Sequence, residues 1–95
     1  MTDMSITRED FGPRGRYVAL IDGHEAELVF TELSPTLIVA DHTGVPDELK
    51  GKGAGLALVE HLVAEARAQG FRVRPMCPFV RAMYARHPEW SDVFG

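Results

Sequence analysis

The sequence of 95 residues has one cysteine, Cys77, and no long uninterrupted apolar run. A single cysteine cannot make an intrachain disulfide and cannot supply a cysteine-based structural zinc site, so no metal is expected. No stretch approaches the roughly 20 apolar residues of a membrane span. The opening residues, MTDMSITRED, lack the basic start and apolar run of a secretory signal. The default expectation is therefore a cytoplasmic protein with no membrane partner. Basic residues are scarce too: 10 Lys and Arg stand against 14 Asp and Glu, a formal net charge of −4. A nucleic-acid binder would carry a basic stripe, so no nucleic-acid partner is expected. The length allows one core without a second cofactor-binding lobe, and function has to fit one compact site.

What is present reads as an ordinary globular domain, 45% apolar and 25% charged. Charge is unevenly spread. Residues 1–48 carry ten acids and three Lys or Arg, whereas residues 49–95 carry four acids and seven Lys or Arg. The second half is thus the half suited to an anionic ligand, and the acidic first half suits a protonated amine.

Residues 16–21 and 24–31 alternate about Asp22-Gly23, a preferred two-residue hairpin turn. After a turn at LSPT, the apolar start of LIVADH (37–42) predicts a central strand buried on both faces. A helix follows from about Gly53 to Gln69, with Leu56, Val59, Leu62, Val63 and Ala66 on one stripe and Gly70 placed to end it. FRVRP (71–75) reads as a strand parallel to 37–42, because the connection passes through a helix. A second helix is expected from Pro78 to about His87, and Trp90 and Phe94 in the tail are expected to pack. The fold class is α+β or α/β, a mixed β-sheet in the order β-β-β-α-β-α. One domain is expected over residues 11–95, after a flexible N-terminus at 1–10.

The stretch LKGKGAG (49–55) puts three glycines and two lysines where a helix begins. Strand, glycine-rich loop and helix in that order offer backbone N–H groups and a helix dipole to phosphate. A Walker loop needs Lys followed by Ser or Thr after its last glycine, and none is present. The dinucleotide fingerprint fails as well, since Leu56 and Leu58 stand where its last Gly or Ala should be. Lys50-Gly51-Lys52-Gly53-Ala54-Gly55 instead resembles the Arg/Gln-x-x-Gly-x-Gly/Ala pyrophosphate loop of the GNAT superfamily, the acetyl-CoA-dependent N-acetyltransferases. Lys50 stands where Arg or Gln is usual, which keeps charge and loses a planar donor set. HTGVPDELKGKGAGLALVEHLV, RVRPMCPFV and YARHPEW resemble the small one-domain GNAT-like proteins, with Trp90 where Tyr is usual. Together these motifs cover roughly residues 16–92.

The resemblance implies a minimal GNAT-like fold in which strands 37–42 and 71–75 splay apart around the pantetheine arm of CoA. It implies that Thr43 and Val45 run beside that arm, and that Lys50, Gly51, Lys52, Gly53, Ala54 and Gly55 meet the pyrophosphate. The implied reaction is transfer of an acetyl group from acetyl-CoA, as cosubstrate, to an amine on a small molecule or a protein lysine. The alternative is a CoA- or acyl-CoA-binding module without efficient transfer.

Cys77 and His42 are the catalytic candidates. Cys77 precedes Pro78, at a helix N-terminus whose dipole favours negative charge, and it reads as nucleophile or acid; the competing reading is a small buried hydrophobe. His42 ends the central strand, where ligands approach open α/β sheets, and it reads as a proton carrier or as a histidine bonded to the loop. His61, opposite the apolar stripe, reads as solvated, His87 as a helix cap, and Tyr84 as core.

Overall fold

Residues 4–94 are described by a computed structural model, in which the strands expected from alternation pair into one mixed sheet. The elements are β1 (Ser5–Phe11), β2 (Arg14–Ile21), β3 (His24–Ser34), β4 (Leu37–Gly44), a 3-10 turn (Asp47–Leu49), α1 (Ala54–Gln69), β5 (Arg72–Pro75), α2 (Pro78–Arg86), a 3-10 turn (Pro88–Trp90) and α3 (Ser91–Phe94). Sheet order is β1-β2-β3-β4-β5, antiparallel except for the parallel β4–β5 pair. Asp22 and Gly23 adopt φ of 51° and 78°, the left-handed pair that the β2–β3 turn needs.

The face of the sheet that carries Tyr17, Ala19, Ile21, Ala26, Leu28 and Phe30 is buried against α1, whose Leu58, Val59, Leu62, Val63 and Ala66 complete the core. Gly70, at φ 81°, ends α1 with its N–H on the Ala66 carbonyl, as its position in the sequence suggests. The expected packing of Trp90 and Phe94 is present: both are buried. Arg67 of α1 bonds both carboxylate oxygens of Asp92 at 2.9 Å, and so ties α3 to α1. β4 is central, between β3 and β5, but only Ile38 and Ala40 are fully buried while Leu37 and Val39 are half-buried. Burial on both faces, as the apolar run suggested, is therefore not what the strand shows; α1 packs on β2 and β3, and the helix against β4 is α2.

The sheet has one strand more than the sequence pattern indicates. Where residues 1–10 were expected to be flexible, Ser5–Phe11 pairs with β2 from Ser5↔Leu20 to Phe11↔Arg14; residues 1–3 lie outside the described part. The reason the pattern conceals β1 is its inward residue Arg8, a charge where a strand should show an apolar side chain. Its guanidinium lies 4.8 Å from the Phe30 ring centroid and bonds Glu65 of α1. Stacking and ion pairing together let a cation stand at a core-facing position.

Beneath Arg8, the wholly buried Tyr17 packs on Phe30 with centroids 5.1 Å apart. His61 meets Tyr17 edge-on at 5.1 Å and stands 3.4 Å from Glu65, so it is a packed residue and not the solvated one expected. Among the described residues the Tyr17 hydroxyl meets no partner in good hydrogen-bond geometry, although Glu65 and Arg8 stand beside it. Burial, and then the Glu65 carboxylate, push its pKa up from the ordinary value of 10.0. The neutral phenol is therefore the form the fold accepts. Stability from this group is complete below pH 10.0 and is lost as pH rises above it, because the unfolded chain ionises first. Tyr17→Phe removes an unpaired buried hydroxyl, and should raise stability by roughly 1 kcal/mol at neutral pH. Urea unfolding at pH 7 and at alkaline pH checks both parts: the variant should also lose less stability than the wild type above pH 10.0.

Candidate functional site

The β3–β4 ladder slips once where it matters: Phe30 pairs with Ala40 but Val29 pairs with His42, which leaves Asp41 as an extra residue. Such a bulge bends its strand. Thr31 holds the bulge by donating its hydroxyl to the Asp41 carboxylate at 2.6 Å. On the other side β5 follows β4 only from Leu37↔Arg72 to Ala40↔Pro75. Beyond that point the Ala40 carbonyl accepts N–H groups from both Met76 (3.1 Å) and Cys77 (2.9 Å), and the chain turns into α2. The two parallel strands therefore part at Ala40.

A cavity of about 400 Å³ lies between the freed end of β4 and the start of α1, lined by Thr43, Val45, Leu49, Lys50, Gly51, Gly53, Ala54, Gly55, Leu56 and Phe79. Of the eight residues expected around CoA, seven line it: Thr43, Val45, Lys50, Gly51, Gly53, Ala54 and Gly55. Lys52 does not, and its ammonium bonds Asp22 of the β2–β3 turn at 2.9 Å. Lys50 bonds Asp47 at 2.8 Å, and this partner raises its pKa. Both pairs are exposed, the kind that exchanges readily for another anion.

Gly51 and Gly53 have φ of 80° and 78°. Gly53 is the N-cap of α1, where its left-handed backbone turns the chain into the helix, and no side chain caps the first turn. Since the first intrahelical bond is Ala57 N–H to Gly53 O, the N–H groups of Ala54, Gly55 and Leu56 point out of the helix start without an intrahelical acceptor. The first turn also contains no acid. A helix of 16 residues that presents bare donors and its positive dipole end to a cavity is suited to phosphate.

Cys77 is the N-cap of α2 and only 3% exposed. Its Sγ is 3.3 Å from Thr43 Oγ1, so the thiol sits directly behind a residue that lines the cavity. His42 is elsewhere. Thr43 pairs with Leu28 and shares the buried, helix-bearing face, whereas His42 pairs with Val29 on the open face and is exposed. The structure thus brings Cys77 and Thr43 together and does not bring His42 to them. The open face holds a second cavity of about 440 Å³, lined by Arg16, Glu25, Glu27, Gly44, Val45 and Pro46. A Cβ placed on Gly44 would sit 3.4 Å from His42 Nε2 and 3.6 Å from Glu27 Cγ, which puts both side chains at that rim. The two cavities share Val45.

Leu49, Leu56 and Phe79 are the lining residues that the spacing of charges and glycines does not single out; the signal for Phe79 is an aromatic as second residue of α2, next to Cys77-Pro78. His87 ends α2 and stacks on Trp90 at 4.2 Å, and Tyr84 packs on Phe94 at 5.0 Å, so both are structural as expected. Among the described residues no group of three His, Cys, Asp or Glu side chains is arranged to hold a metal. Among the described residues, chain neighbours apart, nothing lies within 4 Å of a Cβ built on Gly53, so its glycine is required by backbone alone. Gly53→Ala should cost about 1–2 kcal/mol in urea unfolding, and Gly53→Asn distinctly less, since asparagine tolerates the left-handed region.

Comparison with known proteins identifies the family and the fold. A family model described as GCN5-related N-acetyl-transferase matches residues 16–93. Among solved structures, the chain is similar to the solution NMR structure of a GCN5-like protein from Staphylococcus aureus with a proposed N-acetyltransferase activity. The TM-score is 0.73 at 27% identity, over 100% of this chain and 91% of that one. No curated protein matches. With a family model spanning most of its length, a matching mixed sheet and a helix N-terminus open to phosphate, the chain belongs to the GCN5-related N-acetyltransferase family.

Proposed function

We propose that this protein transfers an acetyl group from acetyl-CoA to a primary amine. The observation that carries the reading is the cavity at the start of α1, which meets uncapped backbone N–H groups at one side and the parted end of β4 at the other. The residues present fit CoA. Pyrophosphate would take the N–H groups of Gly53, Ala54 and Gly55, with Lys50 and Lys52 exchanging their carboxylate partners for it. Extended pantetheine would lie along Thr43 and Val45, where β4 no longer has β5 to bond. Its thioester would then come to rest near Thr43, with Cys77 behind it.

The acceptor would enter from the open face, through the second cavity. Glu25 and Glu27 there attract a protonated amine, on a small molecule or a lysine side chain. His42 at the same rim is placed to take the proton the amine must lose before it attacks. After attack, the departing CoA thiolate needs a proton, and Thr43 with Cys77 is the hydroxyl–thiol pair on that side. Cys77 and His42 accordingly serve opposite faces of the opening.

Release of free CoA thiol from acetyl-CoA, measured against a panel of amines, tests this reading. The expected result is amine-dependent release that weakens as salt rises, with cationic acceptors preferred. Tight CoA binding with no release for any amine would favour the binding-module alternative. Cys77→Ala should lower kcat by roughly 100-fold while leaving CoA affinity nearly unchanged, because its contribution belongs to the transition state. Unchanged turnover would make Cys77 a packing residue.

A further inference from the structure

Gly53 and Gly55 stand two residues apart in one motif, yet they are glycines for different reasons. Gly53 needs a left-handed backbone and has open space around it. Gly55 is in the first turn of α1, and its φ is not positive. At a helical position glycine is less favourable than alanine by about 1 kcal/mol, so conformation does not explain it. Space does. A Cβ on Gly55 would lie 2.5 Å from Phe79 Cζ, 3.0 Å from Cε1 and 3.3 Å from Cε2. The edge of the Phe79 ring therefore rests on the α1 backbone, and any side chain at Gly55 would displace it.

That ring lines the cavity and remains 37% exposed, an apolar surface turned toward the space beside the phosphate-accepting N–H groups. Val45, Leu49 and Leu56 add further apolar lining. Phosphate alone has no use for such walls. They suit a ligand in which a hydrocarbon group follows directly on a phosphate, and in CoA that group is the gem-dimethyl segment at the head of pantetheine. We propose that Phe79, seated on Gly55, is the specificity-determining residue by which the site holds the pantetheine arm and distinguishes CoA from its nucleotide half. This rests on the CoA reading above. The ring's position on the helix, and not on a loop, keeps its face fixed relative to the N–H groups, so both halves of the ligand are measured against one rigid corner.

Calorimetry with CoA and with 3′-phospho-ADP, the same molecule without pantetheine, tests the assignment. Phe79→Ala should weaken CoA about tenfold and change 3′-phospho-ADP less than about twofold, as expected for lost apolar burial against one segment only. Phe79→Leu should recover most of the CoA affinity. Gly55→Ala, checked for folding by circular dichroism, should reproduce the selective loss by moving the ring. Equal weakening of both ligands would mean that the ring stacks on adenine, and unchanged CoA affinity would mean that it touches no ligand; either overturns the proposal. If the wild-type protein binds neither ligand, the CoA reading fails first and the role of Phe79 fails with it.

Discussion

The carbonyl of Ala40 accepts N–H groups from both Met76 and Cys77, and the site depends on what that does to the sheet. A parallel strand pair ordinarily exchanges evenly spaced bonds along its length. Here β5 ends at Pro75, which has no N–H to give, and the next two donors converge on one acceptor. The chain is turned into α2 at once, while the extra residue Asp41 bends β4. Two irregularities at adjacent positions on facing strands thus convert a continuous sheet into an opening. Beyond Ala40, β4 continues to pair with β3 while, among the described residues, its ladder with β5 has ended, which is the arrangement an extended ligand with amide groups could use.

The bulge also decides which side chains meet. Without it, Ile38, Ala40 and His42 would share one face by simple alternation. With Asp41 inserted, His42 passes to the open face beside Val29 and Thr43 takes the buried side beside Leu28. Cys77 then finds a hydroxyl and not an imidazole for a neighbour. One inserted residue therefore separates the two candidate proton carriers onto opposite sides of the opening. Under the proposed reaction that separation would have a chemical use, because transfer from a thioester to an amine requires one proton to leave the nucleophile and another to reach the leaving group. A single residue on one face would have to do both.

Much of this was legible in the sequence, and the parts that were not share a cause. The Asp22-Gly23 hairpin, the span of α1, its Gly70 end and the Pro78 start of α2 all follow from local rules, in which each residue's own backbone preference decides. β1 escaped because its inward Arg8 is accommodated by Phe30 and by Glu65, which lies 57 residues away. His61 was misplaced for the same reason, since Tyr17 and Glu65 hold it and neither is a sequence neighbour. The bulge at Asp41 is invisible to periodicity, which assumes that alternation never skips. In the loop, glycine spacing identified the residues around the cavity, yet it could not show that Lys52 pairs with Asp22 across the β2–β3 turn. What is set by contacts between distant segments lies beyond a reading of neighbours.

The lysines bear on how so small a domain would hold the highly charged ligand proposed for it. Both are engaged with carboxylates at the surface, and neither is buried. The permanent anion-directed groups are the uncapped N–H donors at the start of α1, fixed by a helix whose far side is packed into the core. Backbone donors need no long side chains to be ordered on binding, so little conformational entropy is lost. On the proposed reading, mobile charge would serve attraction and fixed dipoles recognition. The same division appears in the apolar wall, where the Phe79 ring is held against the α1 backbone at a position that only glycine allows. The first turn of α1 would thus be the common reference for phosphate and hydrocarbon alike, and the packing of Leu58, Val59 and Leu62 beneath it keeps that reference still.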